Sequence, residues 1–297
     1  MVFSVLAVTI YWLSGMNLFD AFNHGLTSIA TGGFSTSDMS MGKFDSNLIL
    51  LEATLFMMIG SMPFFLFVRE MHGQHGVLFR DQQVRLFVTI LLVVPALLTL
   101  YRWYVSPTEF DLFNGYVSTL FNVTSVVTTT GYASEDYSAW GPLAFVLFFF
   151  LMFIGGCSGS TAGGMKVFRF QLSLIVLREQ LMRLLHPRAV FTRNYNGRAV
   201  SDEIIASMIA YTFIFLLCLL IITVALAALQ LDFITSLSGA LTVLTNVGPA
   251  LGDTIGPAGT FAPLPELAKW ILSVGMLMGR LEILSVVIVL SPAFWRS

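Results

Sequence analysis

Thr128-Thr129-Thr130-Gly131-Tyr132 lies near the middle of a 297-residue chain, after a helix-permissive run at 110–127 and before an acidic turn, Ser134-Glu135-Asp136. Long apolar segments flank it on both sides. A threonine run that closes on a glycine has a specific physical use within a membrane. Gly131 can adopt backbone angles denied to other residues and leaves no side chain in the way, so successive carbonyls can face one axis. A ring of such carbonyls can replace the hydration shell of a cation. The pentapeptide alone serves equally well as a polar turn between two helices, so the rest of the chain decides.

Hydrophobic residues make up 56% of the chain and charged residues 11%. A soluble domain carries about 25% charged residues, so the composition is that of an integral membrane protein. Cys157 and Cys218 are far apart in apolar surroundings and read as packing thiols. Residues 1–13 lack the basic flank and cleavage site of a signal peptide, and are short of the roughly 20 apolar residues that a spanning helix needs. They read as the outer part of a spanning helix whose beginning is missing.

In order, residues 20–30 form a short mixed run ending in Thr31-Gly32-Gly33, and 48–68 form an apolar span. Residues 69–85 are polar and basic. The pattern then repeats with a span at 86–105, the short run at 110–127, the Thr128–Tyr132 stretch and a return span from 143. That span is broken at 155–164 and resumes at Met165, followed by a basic loop at 178–198. A third copy has a span at 204–229, a short run at 232–244, the turn Thr245-Asn246-Val247-Gly248-Pro249, and a return span at 267–290. Gly33, Gly131 and Gly248 lie 98 and 117 residues apart, room for a whole two-helix module between them. The repeat predicts an all-α membrane protein of span, short re-entrant helix, glycine turn and span. The modules run 1–75, 76–190 and 191–297. Irregular backbone at membrane depth is tolerated where protein buries it or water lines it, so three equivalent turns point to a shared aqueous axis.

Charge orients the array. Segments 69–85, 166–203 and the tail hold 11 of the 15 Lys and Arg residues. The glycine-turn side holds Lys43, Arg102 and Lys269 against ten carboxylates: Asp20, Asp38, Asp45, Glu109, Asp111, Glu135, Asp136, Asp232, Asp253 and Glu266. The positive-inside rule puts the turns outside and both termini in the cytoplasm. The acidic side would concentrate cations at its mouth, or simply consist of solvated loops.

On these motifs the chain resembles the TrkH-type potassium uptake proteins of the Trk/Ktr superfamily. The matching stretches are ATGGFST (30–36), TTTGY (128–132), GGCSGSTAGGMKV (155–167), HPRAV (186–190), TNVGP (245–249), MGRLEILS (278–285) and FWR (294–296). They run in the family's order over essentially the whole chain. The resemblance implies four repeats around a pseudo-fourfold pore, of which the second, third and fourth are present, leaving one wall of the carbonyl ring unlined by this chain. It implies a potassium-translocating subunit in the bacterial inner membrane, with potassium as transported ion and no covalent cofactor. The implied partners are a second copy in a homodimer, membrane lipids, and a cytoplasmic TrkA-like nucleotide-binding subunit on loops 69–85 and 178–203, with no nucleic acid. Those basic loops alone would equally suit anionic lipid headgroups.

The proposed ion ligands are the backbone carbonyls of Ala30, Thr31, Gly32 and Gly33, of Thr128, Thr129, Thr130 and Gly131, and of Thr245, Asn246, Val247 and Gly248. Each preceding short helix would aim its partly negative C-terminal end at the axis. The break comprises Gly155, Gly156, Cys157, Ser158, Gly159, Ser160, Thr161, Ala162, Gly163 and Gly164. Six of those ten residues are Gly or Ala, which cannot hold a stable lipid-facing helix. It reads as a gating loop under the filter, or as a small-residue packing surface. Met165-Lys166 in place of Lys-Ser/Thr excludes a phosphate-binding loop. Arg280 stands in an apolar span, where a charge normally faces a cavity or a partner. The resemblance implies a barrier to cations near the loop; the plainer expectation is a buried ion pair, with Glu52. Glu282, two residues on, falls on a different face. His72 and His75 lack a third metal ligand, and Asn122 heads a glycosylation sequon that falls inside a re-entrant helix. Other classes are a secondary transporter of another solute coupled to sodium or protons, needing a mid-membrane polar pocket, and a membrane enzyme, for which no acid, base or nucleophile set stands out.

Overall fold

The computed structural model describes residues 1–106, 110–189, 191–281, 283–292 and 294–296; Glu109, Val190 and Glu282 lie outside the described residues. The chain is helical except for loops and one small hairpin, and its helices fall into three successive groups. The first holds α1 (Val2–Leu13), α2 (Leu18–Ile29), α3 (Asn47–Gly60) and α4 (Phe64–Met71), followed by the short α5 (Val77–Arg80). The second holds α6 (Gln82–Val105), α7 (Leu112–Val127), α8 (Pro142–Leu151) and α9 (Val167–Leu185). The third holds α10 (Asp202–Ala228), α11 (Phe233–Thr245), α12 (Glu266–Arg280) and α13 (Ile283–Leu290).

The three short helices start by the same device. Asn17, Asp111 and Asp232 cap α2, α7 and α11, each side chain accepting a backbone N–H from the first turn. Each short helix packs on the helix that precedes it: α2 on α1, α7 on α6 and α11 on α10. The later turns of α7 and α11 are fully enclosed. Every residue of α11 from Ser238 to Thr245 is buried, as is every residue of α7 from Phe121 to Val127. A long helix instead turns its apolar residues outward. Phe213, Leu220 and Val224 of α10 are each more than half exposed, which suits a face that lipid covers.

Among the described residues, two helices are long and apolar enough to cross a membrane, α6 and α10, and two bent pairs reach that length together. These pairs correct the continuous spans expected at 48–68 and 267–290. Between α3 and α4 the chain turns by 89°. Pro63 removes a backbone donor there, and the carbonyls freed at Gly60 and Ser61 accept N–H groups from Thr161 and Cys157 of the 155–164 segment. The second break follows Arg280, between α12 and α13. The basic stretch expected to be a loop at 178–198 is also more ordered. Helix α9 runs on to Leu185, and Asn194–Tyr195 (β1) pairs antiparallel with Arg198–Ala199 (β2). Asn196 and Gly197, at φ 48° and 75°, form the two-residue turn between them.

Two apolar cores flank α7. One joins α1, α2 and α3 to Val117, Phe121 and Tyr132. The other joins α6, α8, α10, α11 and α12 to Val123, Val126 and Val127 on the same helix. The middle copy is therefore the keystone between its two sisters.

Candidate ion pathway

Helices α2, α7 and α11 end in one shared geometry. Thr31, Thr129 and Asn246 stand in left-handed backbone at φ 48°, 54° and 58°. The next residue in each case, Gly32, Thr130 or Val247, donates its N–H five residues back, to Thr27, Ser125 or Thr242. This is a Schellman closure, which usually places glycine in the left-handed position. The glycine comes two residues later instead: Gly33, Gly131 and Gly248 have φ of 66°, 83° and 109°. A side-chain strut then pins each turn to its own helix. Thr27 Oγ1 donates to the carbonyl of Phe34 at 3.1 Å, Ser125 Oγ to that of Tyr132 at 2.7 Å, and Thr242 Oγ1 to that of Pro249 at 2.9 Å.

The turns also meet one another. A Cβ on Gly33 would overlap the Thr130 carbonyl, and one on Gly131 would overlap that of Val247. First copy touches second and second touches third through backbone alone. Tyr132, fully buried, bonds its hydroxyl to Thr27 Oγ1 at 2.5 Å and reinforces the first junction.

Segment 155–164 closes against the helical side of these turns. Just before it, beyond the end of α8, Ile154 bridges in parallel to Met165, so its two ends are held together. Thr129 Oγ1 accepts the N–H of Gly163 at 2.6 Å, and Thr161 Oγ1 donates to Ile29 O and Gly60 O at 3.0 Å each. Thr31 Oγ1 donates to Thr161 Oγ1 at 3.2 Å. A Cβ on Gly163 would come within 2.5 Å of the Thr245 carbonyl. The loop is therefore keyed to all three turns, with glycine where contact is closest. Elsewhere it is anchored by Ser158 N–H to Gln83 Oε1 at 2.8 Å, by Phe64 N–H to the Gly159 carbonyl at 3.1 Å, and by Ser160 Oγ to the Cys157 carbonyl at 2.6 Å.

Arg280 Nη1 donates to the Thr161 carbonyl at 3.1 Å. Together with Lys166 and Arg169 it lines a cavity of about 420 Å³ under the loop. The expected ion pair with Glu52 does not form; Glu52 Oε1 accepts the Ser14 hydroxyl at 2.5 Å instead. Nor is Arg280 in the middle of a helix: it is the last residue of α12, beside the break.

The whole chain, residues 1–297, matches the family described as TrkH, cation transport protein. It is 51% identical over 295 residues to the Trk system potassium uptake protein TrkI of Halomonas elongata, covering 99% of this chain and 59% of the relative. Against the Trk system potassium uptake protein TrkH of Vibrio parahaemolyticus the identity is 38%, over 97% of this chain and 59% of the relative. The crystal structure of the potassium transporter TrkH from Vibrio parahaemolyticus superposes with a TM-score of 0.91 at 33% identity, covering 99% of this chain and 62% of that one. The chain belongs to the TrkH family. It spans about three fifths of the length of the relatives it matches.

With the TrkH frame in hand, the residues expected at the site can be located. Thr31, Thr128, Thr129, Thr130, Thr245 and Val247 are buried, Gly33, Gly131 and Asn246 half-buried, and Ala30, Gly32 and Gly248 exposed. Thr128 and Thr130 turn their hydroxyls to each other at 2.8 Å. Asn246 departs from its threonine counterparts, and its Nδ2 donates to the Met276 carbonyl on α12 at 3.3 Å. Sequence reading missed the struts Thr27, Ser125 and Thr242. Their signal was present, since each is a hydroxyl residue six positions before its turn glycine.

Proposed function

We propose that this chain forms three walls of a potassium-selective pore and moves the ion without covalent chemistry. The observation that carries this reading is the threefold recurrence of one backbone turn at adjoining positions. The ligands in this reading are the backbone carbonyls of residues 30–33, 128–131 and 245–248. Three helices end at these turns, and the partly negative ends favour a cation. The names of the relatives as potassium uptake proteins support potassium as the cargo. Segment 155–164 is the gate in this scheme, and Arg280 the fixed charge that discourages cation passage while the loop is closed.

The chain would lie in the bacterial inner membrane with its turns outward and both ends in the cytoplasm. It would pair as a homodimer, and a TrkA-like nucleotide-binding subunit would engage the cytoplasmic side. The deciding experiment is potassium against sodium flux in proteoliposomes read by ion-sensitive dyes. With the fourth wall of the pore supplied, potassium flux well above that of sodium is expected. Uptake of an organic solute with no potassium flux would favour the coupled-transporter alternative.

A further inference from the structure

We propose that a cavity at the basic side of the molecule binds the phosphate headgroup of an anionic phospholipid. The cavity measures about 730 Å³ and opens between α4, α5, the start of α6, α9 and the β1–β2 hairpin. Arg69, Arg80, Arg85 and Arg198 line it, against a single carboxylate, Asp81.

That carboxylate is committed elsewhere. Asp81 Oδ1 accepts the N–H groups of Gln83 and Val84 at 2.8 and 3.3 Å as the cap of α6, while Oδ2 accepts Asn196 Nδ2 at 2.9 Å. It therefore builds the wall by fastening the hairpin to the helix. The arginines are arranged differently from others on this side of the molecule: Arg183 and Arg193 both engage Glu179. Arg69 and Arg85 use only Nε, donating to Gln74 Oε1 and to the Phe79 carbonyl at 2.7 Å each. This fixes their arms and leaves the terminal nitrogens for a ligand. Among the described residues the side chains of Arg80 and Arg198 have no hydrogen bond or ion pair. Four guanidinium groups on one cavity repel one another until an anion enters, and guanidinium suits phosphate oxygens in geometry and charge.

The apolar part of the lining decides which phosphate. Phe65, Leu66, Phe168, Leu172 and Ile204 complete the cavity wall. Phe65 is 52% and Ile204 48% exposed, so an apolar surface runs outward beside the charges. A free phosphate has no use for that surface, whereas an acyl chain does. Basic pockets between helices on the cytoplasmic side are where anionic headgroups dock. This inference rests on the membrane orientation proposed above but not on ion conduction, and lipid retention is read without any flux.

The test is native mass spectrometry of the detergent-purified chain titrated with phosphatidylglycerol or phosphatidylcholine. Phosphatidylglycerol should bind about tenfold more tightly or better. R80Q/R198Q should remove most of that preference, R80K/R198K, which keeps the charge but not the planar fork, should retain part of it, and K269Q/R296Q, with the same loss of charge outside the cavity, should leave it intact. Millimolar glycerol 3-phosphate or inorganic phosphate should not displace the lipid. Equal binding of the two lipids would overturn the proposal, and this comparison needs no variant to fold. So would unchanged phosphatidylglycerol binding in R80Q/R198Q, or displacement by glycerol 3-phosphate, which would mark a soluble-anion site.

Discussion

Thr31 and Thr129 occupy left-handed backbone at φ 48° and 54°, where a β-branched side chain crowds its own main chain. Such strain persists only where the surroundings over-determine it, and at Thr129 the compensating contact is visible. Its hydroxyl accepts the N–H of Gly163, a buried donor. Thr129→Ala would leave that donor unpaired, at a cost of about 1–3 kcal/mol, read as a lower Tm in detergent. Thr129→Ser keeps the oxygen and sheds the methyl, and is expected to match the parent or exceed it slightly. If both variants lost the same stability, the hydroxyl would not be the reason for threonine. The same reasoning applies to the struts. Ser125→Ala would strip the Tyr132 carbonyl of its 2.7 Å donor, with a loss of about 1–3 kcal/mol. Potassium preference over sodium should narrow as the turn slackens, measured as the ratio of the two fluxes.

At the level of elements, the short helices and the broken segment were legible because length and composition are local properties. Residues 110–127 carry polar side chains at too many positions for a lipid-facing span, and a run of Gly and Ala at 155–164 cannot hold a helix against lipid. The breaks at 61–63 and after Arg280 were not legible, because their compensation lies far away in sequence. The carbonyls of Gly60 and Ser61 find their donors about 100 residues later. Pro63 was visible, but nothing local said whether it would kink a span or end one. The hairpin at 194–199 reads in sequence as part of a basic loop, although Asn196-Gly197 carries a two-residue turn signal. Its mounting gives a prediction for pH. Arg193 reaches from the hairpin to both Glu179 of α9 and Asp202 of α10. The hydrogen bond from Arg193, with Arg183 close by, holds the Glu179 carboxyl below its usual range, while the carboxylates raise Arg193 beyond its own. The Arg193 contribution is complete below the ordinary arginine range and so is constant in accessible buffers. The Glu179 contribution is complete above the ordinary carboxylate value of about 4.3, and is lost as pH falls through the lowered one. Hydrogen-exchange protection at 194–199, corrected for intrinsic rates, should hold from neutral pH down to the ordinary carboxylate range and be lost only below it. Glu179→Gln should show that loss at neutral pH; full protection in that variant would mean that packing alone holds the hairpin.

Across the whole molecule, charge and backbone are arranged along one direction. In sequence, carboxylates fall mainly in the segments around the three turns, and arginines line the cavity between α4, α9 and the hairpin. Between them the cation path proposed here passes the three turns and then the loop that is keyed to all of them. Arg280 lies just beyond that loop, bonded to a loop carbonyl rather than to a carboxylate. Its charge is therefore not cancelled by that partner, and a fixed positive charge beside the proposed path raises the barrier to a cation. Two consequences can be separated. If Arg280 acts through its charge, Arg280→Ala and Arg280→Gln should both raise potassium flux in proteoliposomes, by tenfold or more for about 1.4 kcal/mol of barrier removed, while Arg280→Lys stays near the parent. If it acts by latching the loop through the Thr161 carbonyl, Arg280→Gln, which can still donate a hydrogen bond, should stay near the parent, and only Arg280→Ala should leak. Unchanged flux in Arg280→Ala at normal expression would remove both roles, leaving the loop and its threonine contacts as the whole of the gate.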